Sequence, residues 1–492
     1  MRVAVMSFEI NKKHEKQIQK FLYHVSDCIA PYRSILLAFS GGLDSTVLLN
    51  ILVMLRDMDV IFFGKEQRNK LLLRAMHIHH ALNYRADWWA EHCARECYRH
   101  NVIFNIKHIT VNKKSGNIEA RARNARYQAL LMTLKTNEAL LTAHHKDDQA
   151  ETCLLALKRG SGPNGLAAMS SSSNESNLKY CLLRPLLSFS REELETYARL
   201  CGLHWIEDDD NANLKLDRIF LRLKILPSLK QRWPKFPDAI ARSAKLCAEQ
   251  EELLDELLKD TLANVVAPDK SLNLTPLKAM NEVKRSALLR RWLASLAIKM
   301  PTRKNLIRVW EEVALSRRDS VAQLKIDENR FVRRFKDRLH IVKFVPCFID
   351  SKTQFLWPVG SEQPCLPSWF VGIIYRHLVK EEVIRTSCNY ININNEKNIS
   401  QLKVTIVRAP TTSEEVSIRF GSVSGLLHII NRSRRRTLKK IWQELGVPPW
   451  QRLSTPLLFY NDKLISALGV FITRDGIANQ DVQWKIFWQL EL

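Results

Sequence analysis

No two cysteines of this chain stand in Cys-x-x-Cys spacing, although its 492 residues include ten. The absence counts against zinc ribbons and iron–sulfur clusters, which draw on paired cysteines, and neither cofactor is expected. Cys93 and Cys97 are four apart on a predicted helix, behind His79 and His80. A metal site there is the sharper reading; buried bystander thiols are the plainer and favoured one. Scattered free thiols suit a reducing compartment. Met1–Lys20 lacks the charged start, apolar centre and small-residue cleavage site of a secretory leader, so a cytoplasmic location is expected. Long apolar runs are missing too: the most apolar region, Thr46–Phe63, is broken by Arg56, Asp57 and Asp59, so no membrane association is expected. The last deficit is acid. Asp and Glu number 51 against 75 Lys and Arg, a formal charge of +24, more than solubility requires. A polyanionic partner follows, nucleic acid first, unless the surface is simply basic throughout.

The length suits two or three domains. From Ile35 to about Ile206 strands and helices alternate. The strands are Ile35–Phe39, Ala75–His80, Val102–Ile109 and Ala139–His144; the helices start at Asp44 and run around Trp88–His100, Ile118–Leu134 and Asp147–Lys158. Such repetition predicts an α/β domain, a parallel sheet with helices on both faces, with ligands bound beyond the carboxyl ends of the strands. Ser170–Ser173 and Asn174–Asn177 read as an exposed, mobile excursion. Pro227, Pro234 and Pro237 mark a first boundary. Beyond it, leucines at helical spacing over Asp238–Ala263 and the segments Val283–Ile298 and Thr302–Leu315 predict a mainly helical domain. Alternating runs over Leu324–Val345 close it as a β-meander. A proline-spaced segment, Pro346 to Pro367, leads to a small α+β region with strands near Val404–Val407, Val416–Phe420 and Leu464–Ile472. The expected divisions are 1–226, 227–346, 347–410 as linker and start of the C-terminal region, and 411–492.

The most informative stretch is Ser40-Gly41-Gly42-Leu43-Asp44-Ser45, between the first strand and its helix. A strand that ends in two glycines and opens a helix points backbone N–H groups and hydroxyls at one spot, suited to a phosphate chain. Asp44 is a carboxylate able to hold Mg²⁺ against such phosphates. The loop has neither the Gly-Lys-Ser/Thr ending of a Walker A loop nor a dinucleotide glycine pattern. An ordinary strand-to-helix turn with an N-capping serine is the alternative.

His145-Lys146-Asp147-Asp148 falls where another strand meets a helix on the same sheet edge. Adjacent carboxylates there are helix caps in most proteins, yet with Asp44 they could supply metal ligands or a base. Glu119, Arg123, Arg126 and Tyr127 share one helix face. A Glu119–Arg123 pair is the simple account, while two arginines facing a phosphate loop would neutralise the transition state of adenylyl transfer. Arg159 and Arg184 each stand in a loop, Arg159-Gly160-Ser161-Gly162 and Arg184-Pro185-Leu186-Leu187.

Ser-Gly-Gly-x-Asp-Ser after a first strand resembles the pyrophosphatase loop of the N-type ATP pyrophosphatases, the PP-loop family, which split ATP between its α and β phosphates and transfer AMP. The constellation narrows this. In order and spacing, His79-His80-Ala81-Leu82, Ile118 to Tyr127, His145 to Asp148, Leu157 to Pro163, Trp205 to Asp208, Arg232-Trp233-Pro234, Arg290 to Ala294 and Lys439 to Trp450 resemble the tRNA(Ile)-lysidine synthetase family. The match covers nearly the whole chain and fits the long, three-domain form.

The resemblance implies an adenine nucleotide alpha hydrolase-like fold, with ATP and Mg²⁺ used to adenylate O2 of the wobble cytidine in the CAU anticodon of tRNA(Ile). Free L-lysine then displaces AMP, and decoding changes from AUG to AUA. By the same resemblance Ser40, Gly41, Gly42, Leu43, Asp44 and Ser45 would hold pyrophosphate, Asp44 the magnesium ion, and His145 and Asp148 would join that phosphate site. Arg123 and Arg126 would stabilise the adenylyl transition state or the tRNA, His80 would flank adenosine, and Glu119, Tyr127, Arg159, Arg184, Arg218 and Arg222 would meet the substrates. Lysine's amine has a reference pKa of about 10.4, so making it neutral at pH 7 costs about 4.6 kcal/mol. Asp147, Asp148 and Glu151 are candidates for a carboxylate that offsets this cost.

The chain departs from the family pattern at Asp210, where a serine is usual, Ile219, usually asparagine, and Ala81, commonly glycine. Near the C-terminus Arg432, Arg434, Arg435, Arg436, Lys439 and Lys440 precede Trp442, Trp450 and Arg452. A basic cluster beside aromatics suits RNA phosphates and unstacked bases, a solvated helix start being the plainer account. The rival enzyme is a PP-loop tRNA thiolase, against which the missing Cys-x-x-Cys counts. The oligomeric state stays open, a homodimer included.

Overall fold

A computed structural model describes residues 12–58, 71–79, 85–110, 118–174, 180–207, 214–317, 320, 322–343, 353–367, 369–370, 372–380, 390–394, 401–478 and 482–490. The chain divides into two compact units, Met1–Lys259 and Asp260–Leu492.

The first unit begins with helix α1 (Lys12–Ile29), whose Ile18, Phe21, Val25 and Ile29 fall on one face and are buried. Strands and helices then alternate: β1 (Ser34–Ala38), α2 (Leu43–Asp57), β2 (Leu72–His79), α3 (Ala86–Arg99), β3 (Ile103–His108), α4 (Ile118–Leu131), β4 (Glu138–Leu141) and α5 (Lys146–Lys158). They are followed by α6 (Pro163–Leu166), β5 (Ser172–Asn174), β6 (Cys181–Leu183) and α7 (Arg191–Leu200). The sheet order is β3-β2-β1-β4-β6-β5, parallel except for β5. Part of the segment expected as an exposed excursion is this edge strand, because Ser172–Asn174 pairs with β6.

Both faces of the sheet are covered, as the alternation predicts. Ile35 and Leu37 of β1 point into one core with Phe21, Val47 and Tyr197, while Leu36 joins Met76, Leu130 and Leu140 in another. β2 lies on one side of β1 and β4 on the other, so the strand order reverses between β1 and β4. A crevice opens beyond the carboxyl ends of strands at such a switch point. Next come α8 (Asp217–Phe220), a π-helical stretch Leu221–Ile225, α9 (Leu226–Arg232) and the 30-residue α10 (Phe236–Val265).

The second unit opens with β7 (Leu272–Asn273), α11 (Leu274–Lys278), α12 (Glu282–Ser295) and α13 (Arg303–Arg308), then β8 (Gln323–Lys325), β9 (Arg330–Phe335) and β10 (Arg338–Lys343). These strands form an antiparallel sheet, β7-β10-β9-β8, over a core of Trp292, Val309, Val332 and Leu339. Further on lie β11 (Gln354–Leu356), β12 (Ile373–Lys380), β13 (Tyr390–Asn394), β14 (Gln401–Arg408), β15 (Val416–Arg419), β16 (Leu426–Leu427) and β17 (Arg436–Thr437). The unit ends with α14 (Leu438–Glu444), α15 (Pro449–Arg452), β18 (Leu457–Tyr460), β19 (Lys463–Ala467), β20 (Phe471–Ile472) and β21 (Val482–Leu490). Two sheets, β11-β15-β18-β19-β20 and β12-β21-β14-β13, share a core of Trp357, Ile418, Tyr460 and Trp484. Within 347–410, β11, β12 and β14 pair with strands from beyond residue 410.

Candidate active site

Gly41 closes β1 with φ +80°, and a Cβ on it would lie 2.9 Å from Cys93 Sγ and 3.1 Å from Ile206 Cδ1. Only glycine fits both the backbone and the space. The turn is pinned from outside by the Ile206 N–H, which donates to Gly41 O at 2.9 Å. The N-cap of α2 is Gly42, without a side-chain cap, so the serine expected there does not take that role. Instead the Ser40 and Ser45 hydroxyls lie 3.1 Å apart, and Ser45 donates to Gly42 O at 3.0 Å. The first amides of α2 keep their donors for an anion. Leu43 is buried, and Asp44 stands in the helix's first turn.

At the end of β4, His145 caps α5 through a reciprocal box: its Nδ1 accepts from Asp148 N at 3.4 Å, and Asp148 Oδ2 accepts from His145 N at 3.0 Å. Asp148 is therefore a cap, and more. Its Oδ1 accepts from Arg218 at 3.3 Å and Arg222 at 3.0 Å. Fully buried Glu151, one turn on, accepts from the Nε atoms of the same two arginines at 2.7 and 2.6 Å. Burial alone would raise the Asp148 pKa, but His145 and Arg218, with Arg222 behind them, outweigh it and hold the carboxyl below its usual range. Asp147 accepts from Arg191 N at 2.9 Å and pairs with Lys230.

Asp44 meets this helix end. Its Oδ2 lies 3.7 Å from His145 Nε2 and 3.7 Å from Arg191 Nη1, while its buried Oδ1 has no hydrogen-bond partner. Burial pushes its pKa up, opposed by His145 and Arg191. A carboxylate with a spare, desolvated oxygen at an anion-binding loop fits Mg²⁺, which binds through one or two carboxylates plus substrate phosphates. The carboxylate oxygens Asp148 Oδ1 and Glu151 Oε1 and Oε2 already accept from arginines. Among the described residues no group of three or more His, Cys, Asp and Glu is arranged to hold a metal by itself.

A cavity of about 890 Å³ opens over both helix ends, a size that suits a nucleotide. It is lined by Ser40, Gly42, Leu43, Asp44 and Ser45, by Asp148, Arg191 and Arg222, and on the α4 side by Arg126 and Tyr127. His144, also on its wall, has its pKa depressed to about 3 by burial, so the imidazole there is neutral. Arg123 and Arg126 both flank the Tyr127 ring, at 5.5 and 5.9 Å from its centre.

His80 lies outside the described residues, as do Ala81, Asp210 and the Glu119 side chain. Exposed Arg159 donates to Leu155 O of its own helix, and Arg184 to Ser170 O. Arg435, Lys439 and Lys440, in the second unit, are exposed; Arg436 lies 3.8 Å from Glu444, and Arg452 donates to Val447 O. Trp442 corrects the picture of a stacking platform: it is 3% exposed and packs on Phe471 in a core. Cys93 and Cys97 are buried thiols whose pKa values burial pushes up, that of Cys97 to about 12.

Sequence reasoning missed Arg191, Trp89 and His144, all three on the cavity wall. For Arg191 a signal existed: Ser190 and Glu193 form the S-x-x-E pattern of a helix start. The loop from Gly160 runs on to Gly165 with the dinucleotide glycine spacing, but it follows helix α5, not a strand.

Three family models match the chain: the PP-loop domain over residues 10–229, the TilS substrate binding domain over 272–340, and the TilS substrate C-terminal domain over 416–488. Among curated relatives, the tRNA(Ile)-lysidine synthase of Pectobacterium atrosepticum is 48% identical over 461 residues, covering 93% of this chain and 94% of that protein. That of Blochmanniella pennsylvanica is 44% identical over 481 residues, 94% and 93% of the two chains. Among solved structures, the U34-tRNA thiolase NcsA from Methanococcus maripaludis with its [4Fe-4S] cluster is 16% identical, with a TM-score of 0.40 over 48% of this chain and 80% of that one.

Proposed function

The chain belongs to the tRNA(Ile)-lysidine synthase family, and on that premise we propose that the cavity between β1 and β4 is where ATP is split and L-lysine is joined to tRNA(Ile). One observation carries the assignment: Asp44 of the glycine loop and Asp148 of α5 line one nucleotide-sized cavity at the strand switch point, with the α5 cap His145 within ion-pair distance of both. The cytoplasm, where ATP, lysine and tRNA are all present, is the location that goes with this activity.

In the first step O2 of the wobble cytidine attacks the α-phosphorus and pyrophosphate leaves. The loop hydroxyls and the uncapped amides of α2 hold the phosphates, and Arg126 and Arg123 supply positive charge from the α4 side. Magnesium held by Asp44 would add charge neutralisation at the departing pyrophosphate. In the second step the ε-amine of lysine attacks C2 of the base, and AMP leaves with O2.

Only the neutral amine attacks, and Asp147, Asp148 and Glu151 are each already occupied by a cation. A lysine that enters beside Arg218 and Arg222 finds their charge already balanced by Asp148 and Glu151, so it is the partly dry wall that lowers its ammonium pKa. That lowering offsets part of the roughly 4.6 kcal/mol that deprotonation costs at pH 7. The thiolase alternative finds no support in the buried, high-pKa thiols of Cys93 and Cys97.

The test is incubation with ATP, radiolabelled lysine and tRNA carrying the CAU anticodon. Label should enter tRNA only with ATP and with equimolar pyrophosphate release, and Asp44→Asn should abolish both. Incorporation that ignores ATP, or survives Asp44→Asn unchanged, overturns the assignment.

A further inference from the structure

Arg191 reaches the centre of the site from a firmly built root. It is the first residue of α7, where Glu193 N donates to Ser190 Oγ at 3.2 Å and Ser190 N to Glu193 Oε2 at 2.8 Å. Its own N–H donates to Asp147 Oδ2, and Asp147 is buried and paired with Lys230. The starts of α5 and α7 are thereby tied together. From this anchor the guanidinium extends to the glycine loop, Nε 3.3 Å from Glu195 Oε1 and Nη1 3.7 Å from Asp44 Oδ2, on the cavity wall.

The other arginines on that wall are placed differently. Arg222 gives Nε and Nη2 to Glu151 and Asp148, and Arg126 stands on α4 beside Tyr127. Arg191 is the lining arginine within ion-pair distance of Asp44, and 3.7 Å exceeds a hydrogen bond, so Asp44 does not use up its N–H donors.

We propose that Arg191 binds the pyrophosphate portion of ATP, donating from its guanidinium to β- and γ-phosphate oxygens held at the glycine loop. The inference rests on the reading of the cavity as the ATP site. When the bond from the α-phosphorus to its bridging oxygen breaks, the electron pair goes to the β-phosphate oxygen and Arg191 gains no proton. Its planar fork matches phosphate bidentately, and it meets more negative charge after the break than before.

Product inhibition separates this role from others. Pyrophosphate and AMP are each titrated against lysidine formation by the full-length wild type, Arg191→Gln and Arg191→Lys. In R191Q the pyrophosphate inhibition constant and the KM for ATP should both rise about ten- to a hundredfold, the range of one charge-assisted hydrogen bond. AMP inhibition and the KM for lysine should stay within about twofold of wild type, and R191K should recover part of the loss. If R191Q melts below assay temperature, R191K carries the comparison, with pyrophosphate inhibition weakened about threefold or more and AMP inhibition unchanged. Unchanged pyrophosphate inhibition in both variants overturns the role of Arg191, as does a parallel weakening of AMP. A wild type that releases no pyrophosphate from ATP overturns instead the reading beneath it.

Discussion

Gly41→Ala tests whether the glycine loop is held by the contacts assigned to it. Two costs are expected. Alanine at φ +80° enters the left-handed region, about 1–2 kcal/mol for an L-residue. Its Cβ would also sit 2.9 Å from Cys93 Sγ and 3.1 Å from Ile206 Cδ1, an overpacking worth about 1–3 kcal/mol. The sum, about 2–5 kcal/mol, should lower the melting midpoint of the first unit by about 2–4 °C per kcal/mol. Because Gly41 O anchors Ile206 N beside the cavity, the KM for ATP should rise as well. The second variant identifies the cause. Cys93→Ala removes the nearer obstacle at a cost on the order of 1 kcal/mol, and in G41A/C93A the steric part should be relieved while the backbone part stays. Scanning calorimetry of the four proteins should therefore give a coupling of about 1–3 kcal/mol in the stabilising direction. A double mutant that is simply additive, or G41A with wild-type melting and ATP affinity, would refute the reasoning.

The remaining expectations concern charge and core. Glu138, fully buried at the foot of β4, accepts from Arg74 Nε at 2.9 Å and Lys135 N at 3.0 Å, so Glu138→Gln leaves a guanidinium short of its counter-charge and should cost about 3–5 kcal/mol in thermal unfolding. Burial opposes its ionisation, but Arg74 and Lys135 win and lower the folded pKa; this contribution is full above the unfolded value of about 4.5 and is lost as pH falls through the folded value, so the deficit of E138Q should shrink below pH 4.5. If the six charges from Arg432 to Lys440 each meet a phosphate, tRNA affinity should fall about a thousandfold between 50 and 200 mM salt in filter binding; R435A/K439A/K440A should flatten the log–log slope by about 3, and an unchanged slope would remove these residues from the interface. Trp442→Ala should cost about 3–5 kcal/mol of stability without changing that slope, since the ring is packed on Phe471; a base-stacking loss without destabilisation would contradict its burial.

What the sequence disclosed and what it withheld divide along physical lines. Alternation of apolar runs is a local property, so β1 to β4 and the helices between them were legible, as was the Ser40–Ser45 loop, whose first glycine, Gly41, is required by its φ and by its close approach to Cys93. Helix α1 carries the same kind of local signal at Ile18, Phe21, Val25 and Ile29 and could have been read. Partners across the fold are not local. Arg218 and Arg222 were expected as substrate contacts from the family resemblance alone, and nothing in the sequence signals that their donors go to Glu151 and Asp148, some 70 positions upstream. The net charge of +24 counts these guanidiniums equally with exposed Arg435 or Lys439, although only the latter keep their charge for solvent or a partner. Composition therefore overstates what reaches a polyanion, by the number of cations that pair inside. In this site the internal pairs have a structural use: they fix two carboxylates and two guanidiniums beside the cavity and leave no net charge among the four.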